Sequence, residues 1–166
     1  MMYSGPKLKL KDKRFSKNLE AKGGFLKATF FKIVDGDTAV FKIDGKRETV
    51  RLLVINTPEL LPTPKPYSVE AKEYFTSILE NAKEIYLQSD KHSTLRDTTE
   101  GRRLLAWVWV DNELVNYNLV RLGYANVEYV ANEKLRYLRK LRKAEILAKK
   151  EKLRIHNIEE NNVSNS

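Results

Sequence analysis

A chain of 166 residues with 42% hydrophobic and 32% charged residues holds material for one ordinary core under a wet, charged surface. It has no cysteine, which excludes disulfides and thiolate zinc sites, and no run near the roughly 18 apolar residues of a membrane-spanning helix. The net charge of +9 sits at the flanks: residues 1–25 carry seven Lys/Arg against two acids and 132–154 ten against three, while 26–131 carry fourteen against fifteen.

Such a charge distribution suits a polyanion gripped from its edges, although a lysine-rich helix can equally be a solvated face. The opening MMYSGPKLKLKDKRFSKN has no apolar h-region, so no signal peptide is expected in this stretch. Residues 1–24, ending at Gly23-Gly24, read as a basic, flexible arm. From Phe25 the pattern turns to short β-rich runs, LKATFFKIV, TAVFKI and RETVRLLVI, separated by Asp35-Gly36 and Asp44-Gly45. Asp-Gly between such runs is a strong hairpin signal and predicts a three-stranded meander.

LLPTPKP follows, with prolines at 62, 64 and 66, a spacing that fits neither helix nor central strand and predicts an exposed loop. YSVEAKEYFTSILENAK (67–83) places apolar or aromatic residues at 71, 74, 75, 78, 79 and 82, a helical stripe. EIYLQ reads as a fourth strand, DKHSTLRDTTEGRR as a polar loop, and LLAWVWV as a fifth strand. ELVNYNLVRLGYA predicts a short helix closed by Gly123. NEKLRYLRKLRKAEILAKKEKLR predicts an amphipathic helix with Leu135, Leu138, Leu141, Leu147 and Ala148 on its packed side. The tail from Asn157 to 166 is expected to fray. Five strands with a helix between the third and fourth, and about three helices in all, are the element order of an OB-fold: an α+β chain with a mostly β barrel core over residues 25–156.

Hairpin register brings two candidate site residues together. With Ile43 paired to Lys46 across the Asp44-Gly45 turn, Asp37 lies across from Leu52 and beside Arg51. A guanidinium inside the apolar run VRLLVI needs a partner, because burying it unpaired is costly; a structural Asp–Arg pair would satisfy that need as well as a site would. Asn56-Thr57-Pro58-Glu59 resembles helix-capping chemistry, but the prolines that follow leave room for no more than about one turn. The oxygen-bearing side chains at 56, 57 and 59 therefore stand at a strand end opening into a loop. Asn56 is four residues beyond Leu52, roughly 13 Å along a straight strand, and spacing alone does not bring it back to Asp37.

KIVDGDT (32–38), RLLVINTPE (51–59), GRRLLAWVWVDNELVNYNLVRLGYANVEYV (101–130) and LRKAEILAKKEKLRI (141–155) resemble the staphylococcal nuclease (thermonuclease) family, with shorter matches in YSVEAKEYF and ENAK between them. The resemblance spans about residues 26–156 in unbroken order. It implies a calcium-dependent phosphodiesterase that cuts DNA and RNA and leaves 3′-phosphates. Matched by position, Asp37 and Asn56 fall on the family's calcium-binding side chains, and Thr57 on the residue whose carbonyl adds a ligand. Arg51 and an arginine of the GRR segment fall on the two phosphate-binding arginines, Glu59 on the general base, and Tyr129 on a tyrosine of the nucleotide pocket. An Asp, an amide oxygen and a backbone carbonyl form a donor set suited to a hard cation that keeps its waters. His92 and His156 are read as surface residues rather than ligands.

Three departures stand out. The family most often has Asp where this chain has Asn56, so one negative charge is missing. The second arginine is Arg102 or Arg103; counting back from Leu-Ala-aromatic favours Arg103. The Lys-Tyr pair ahead of that arginine is absent, and a second pocket tyrosine falls on Ala131. The expected partner is nucleic acid, with no membrane and no obligate protein partner, and the chain is expected to act as a monomer. The family also implies secretion or a cell-envelope location. The competing reading is a nucleic-acid-binding relative without catalysis, which would lose its arginines or its glutamate first; Asp37, Arg51, Glu59 and Arg103 are all present.

Overall fold

A computed structural model describes residues 3–8, 19, 23–99 and 101–157. Its strands are β1 (Phe25–Asp35), β2 (Thr38–Ile43), β3 (Lys46–Leu52), β4 (Ile55–Asn56), β5 (Ile85–Gln88), β6 (Leu104–Val110), β7 (Glu113–Leu114) and β8 (Asn126–Val127). Its helices are α1 (Ser68–Glu80), α2 (Val115–Arg121) and α3 (Leu138–Lys150). The β2–β3 hairpin turns on Asp44 and Gly45, both at positive φ (51° and 81°), the geometry that lets a two-residue turn follow the strand twist. Its register is the one expected, Ile43 opposite Lys46 and Thr38 opposite Arg51, and the Leu52 amide donates to the Asp37 carbonyl at 3.0 Å.

The main sheet runs β3-β2-β1-β5-β6-β7, and β3 also pairs in parallel with β6 from Val50↔Leu104 to Leu52↔Ala106. That pairing closes β1, β2, β3, β5 and β6 into a five-stranded mixed barrel, the OB-fold expected from the element order. Trp107, Trp109, Phe41, Phe75 and Leu52 fill the core, all fully buried. α1 closes it from one side with Ala71, Phe75 and Leu79.

Two devices aim the strand ends at one place. Asn116 of α2, fully buried, accepts from the Val108 amide (2.9 Å) and donates to the Leu53 carbonyl (3.1 Å), tying the end of β3 to β6. At Leu53-Val54 the chain then doubles back: Val54 takes φ 55°, the Leu53 amide donates to Ala106, and the Val54 carbonyl accepts from Glu128. A β-branched residue in the left-handed region is strained, and here three anchoring hydrogen-bonded segments hold it.

Some boundaries differ from the sequence expectation. The C-terminal helix begins at Leu138, because residues 132–137 form turns in which the Arg136 amide donates to Asp90. Its packed face is Leu138, Leu141, Ala144 and Ala148, with Leu135 contributed from the preceding turn; Leu147 is 41% exposed instead of packed. His156, expected at the surface, is buried. Within the N-terminal arm, Tyr3 stacks edge-on against Tyr117 and accepts from the Leu114 amide, and the backbone at Lys7 pairs with that at Glu113 in an isolated antiparallel β-bridge. The remainder of the arm, apart from Leu19 and residues 23–24, and the tail from 158 onward lie outside the described residues.

Candidate active site

The β1–β2 turn, the end of β3, the doubled-back segment 55–59 and the loop before β6 surround a cleft of about 440 Å³. Asp37 lies at its base, 4% exposed, its two oxygens unequally engaged. One carboxylate oxygen accepts from the Thr38 hydroxyl (3.0 Å), and the other from the Thr57 amide (3.0 Å) and hydroxyl (3.1 Å). Arg51 stands 3.3 Å from that second oxygen. Gly36 makes the approach of Thr57 feasible: a Cβ there would lie 2.8 Å from both Thr57 Oγ1 and the Ala71 Cβ.

Arg51 is itself buried, and its guanidinium holds three oxygens at once. Nη1 donates to the Leu52 carbonyl at 2.8 Å, and Nη2 faces Asp37 at 3.3 Å and the Asn56 amide oxygen at 3.5 Å. The cation in the apolar run is thus paired, as its burial requires. The turn at Val54 closes the distance between Leu52 and Asn56 that a straight strand would have left.

Asp35, not singled out in the sequence, joins this group. Its carboxylate accepts from the Asp37 amide at 3.0 Å, and burial together with the neighbouring Asp37 carboxylate pushes its pKa up to about 6, against a smaller opposing pull from Arg51. Two carboxylates separated by one glycine therefore concentrate more negative charge than one buried arginine relieves. Among the described residues no three or more His, Cys, Asp or Glu side chains gather into a metal cluster. The oxygens available are carboxylate, amide and backbone carbonyl, which fit a hard divalent cation and not a soft one.

Glu59 stands exposed on the rim, its backbone carbonyl accepting from the Lys65 amide. Arg103 lines the opposite wall, oriented by Asp97, which accepts from its amide (2.9 Å) and its Nε (2.8 Å). Against the upward pull of burial, bonds from Thr99 and Arg103 hold Asp97 below the usual carboxylate range. Because Asp97 takes Nε, the terminal amino groups of Arg103 are left for a ligand. Arg102 is exposed, takes φ 45°, and does not line the cleft. Tyr129 is 70% exposed at the mouth, with the Arg51 guanidinium 5.7 Å from its ring centre, and Ala131 lies beside it. Neither histidine lines the cleft.

The contribution of Thr57 through its amide and hydroxyl, and the orienting role of Asp97, had no sequence signal. Asp35 had one: a D-G-D spacing puts two carboxylates on a single tight turn, but the turn reading alone accounted for the first of them.

Residues 49–157 match a family model described as staphylococcal nuclease homologue. The chain is 36% identical over 130 residues to the SPbeta prophage-derived endonuclease YokF of Bacillus subtilis, covering 76% of this chain and 43% of that protein. It is 35% identical over 130 residues to endonuclease YncB of the same organism, covering 76% of this chain and 60% of that one. It is 33% identical over 128 residues to the thermonuclease of Staphylococcus intermedius, covering 75% and 72%. The chain thus spans about half the length of the two Bacillus endonucleases.

Proposed function

The chain belongs to the staphylococcal nuclease family, and from that premise we propose that it is a calcium-dependent endonuclease that hydrolyses phosphodiester bonds of DNA and RNA by in-line attack of water, leaving 3′-phosphates. The observation that carries the reading is the convergence of Asp37, Arg51, Asn56 and Thr57 at the base of a cleft whose walls present Glu59 and Arg103.

Asp37, the amide oxygen of Asn56 and the carbonyl of Thr57 would hold the cation. When bound, calcium supplies charge neutralisation at the phosphate and lowers the pKa of an attacking water. The chain's own groups do the rest. Arg51, already placed by the Leu52 carbonyl, meets the substrate phosphate with a guanidinium that needs no reorganisation. Arg103, pinned through Nε, offers its terminal amino groups to the equatorial oxygens, where charge grows as the new bond forms. Glu59 on the rim accepts the proton of the attacking water. Tyr129 flanks Arg51 and offers a ring to the sugar or base beside the scissile phosphate. No side chain forms a bond to phosphorus, so the reaction is a single displacement. By the same family resemblance the protein would act outside the cell or in its envelope.

The second reading, a nucleic-acid-binding relative without turnover, is favoured only by Asn56, which removes one charge from the cation site. The two readings part on Glu59→Gln. The nuclease reading predicts a loss of turnover of roughly 10² to 10⁴ with little change in affinity for nucleic acid. An equal fall in both, or no turnover to lose, contradicts it.

A further inference from the structure

The outer face of the barrel between the cleft and the β2–β3 turn carries an arrangement that packing does not explain. Lys42 lies directly opposite Arg47 across the hairpin, both exposed. Like charges directly opposite one another destabilise a strand pair, and a hairpin selected for stability alone would carry an acid at one of the two. Both cations also converge on one ring: Lys42 Nζ is 5.0 Å and the Arg47 guanidinium carbon 4.0 Å from the centre of Phe31. Phe31 is the extra residue of a bulge in β1, between Phe30, paired with Phe41, and Lys32, paired with Val40. Among the described residues neither Lys42 nor Arg47 has a carboxylate partner.

Strand alternation links this cluster to the cleft. Arg47, Thr49 and Arg51 are successive same-face residues of β3, and Lys42, Val40 and Thr38 are their partners on β2. Arg47 is thus four residues, about 13 Å, from the arginine at the base of the site, on the face where OB-folds receive oligonucleotides. One face of the Arg47 guanidinium rests on Phe31, and its other face is the kind of plane on which an unstacked base settles. Lys42 beside it supplies a point charge for a phosphate.

We propose that Phe31, Lys42 and Arg47 form a second contact for single-stranded nucleic acid, engaged by a strand whose scissile phosphate lies at Arg51. The contact rests on the nuclease reading and deepens it: strands long enough to reach the platform gain from it, and shorter ones do not. A duplex offers phosphates there but no free base faces, so it gains less.

The test compares wild type, Lys42→Ala/Arg47→Ala and Phe31→Ala on three substrates: a single-stranded oligonucleotide of about twelve nucleotides, the same sequence as a duplex, and a dinucleotide. The expected result is a loss of roughly tenfold in kcat/KM for the double variant on the single strand, with little change on the dinucleotide, which also shows that the site is intact. In parallel, fluorescence anisotropy of the labelled strand in EDTA reads binding without turnover. The slope of log affinity against log salt should shrink by about 0.7 in the double variant, which loses the phosphate contact of Lys42, while Phe31→Ala should weaken binding several-fold at nearly unchanged slope. Equal losses on dinucleotide and oligonucleotide, an unchanged salt slope, or a duplex losing as much as the single strand would overturn the proposal. Should no substrate be cut by wild type while the anisotropy differences persist, the contact stands and the nuclease reading fails.

Discussion

In the calcium-free protein, Asp35→Asn should raise stability at neutral pH and leave it nearly unchanged in acid. Asp35 is half-buried beside Asp37, and its pKa is pushed from 3.8 up to about 6. A carboxylate whose folded-state pKa is raised binds its proton more tightly when folded. Its contribution is therefore intact below the unfolded value near 3.8, is lost as pH rises through about 6, and is a fixed cost above that. About two pH units correspond to a ceiling of about 3 kcal/mol, and solvent at the partly open turn brings the expected figure to about 1–2 kcal/mol. The asparagine keeps an oxygen to accept from the Asp37 amide, so the hydrogen bond at 3.0 Å survives and only the charge goes. Urea denaturation in EDTA at pH 4, 5, 6 and 7.5 measures the difference between the two proteins, in which all other titrations cancel. A gap that opens between pH 4 and 6 and then stays constant is the expected result; one that is flat with pH, or that opens on the acid side, would refute the electrostatic reading of the turn.

Asn56→Asp restores a carboxylate beside Arg51 and should tighten calcium binding by roughly tenfold, read by titration calorimetry; equal or weaker affinity would remove Asn56 from the ligand set. Gly36→Ala forces a methyl against Thr57 and Ala71 and should cost about 1–3 kcal/mol in thermal or chemical denaturation, with a larger proportional loss of activity because Thr57 holds Asp37. A fully stable, fully active Gly36→Ala protein would show that this close approach is not needed.

Those parts of the molecule governed by local rules were legible in the sequence. Asp44-Gly45 at positive φ sets the hairpin register, and the register alone sets Asp37 beside Arg51. Element order gave the barrel, because a helix between the third and fourth strands leaves β6 to pair back onto β3. What was not legible depends on contacts distant in sequence. Val54 carries no mark of its left-handed turn; that turn exists because Ala106 and Glu128 hold the segment on either side. Asn116 is one polar residue in a helix, yet it links the ends of β3 and β6. The start of α3 slipped to Leu138 because Asp90, far back in the chain, captures the Arg136 amide and the Trp107 indole. Which of Arg102 and Arg103 enters the cleft depends on the loop anchored by Asp97, and Asp97 stands in the sequence as one more polar loop residue.

The proposed reaction requires the oxygens of Asp37, Asn56 and Thr57 to hold a hard cation on which phosphodiester cleavage depends. Digestion of supercoiled plasmid DNA, titrated with calcium after exhaustive EDTA treatment, tests it most directly. No nicking in EDTA, activity restored by calcium, and weaker restoration by zinc are expected; undiminished nicking in excess EDTA would show that cleavage needs no such cation.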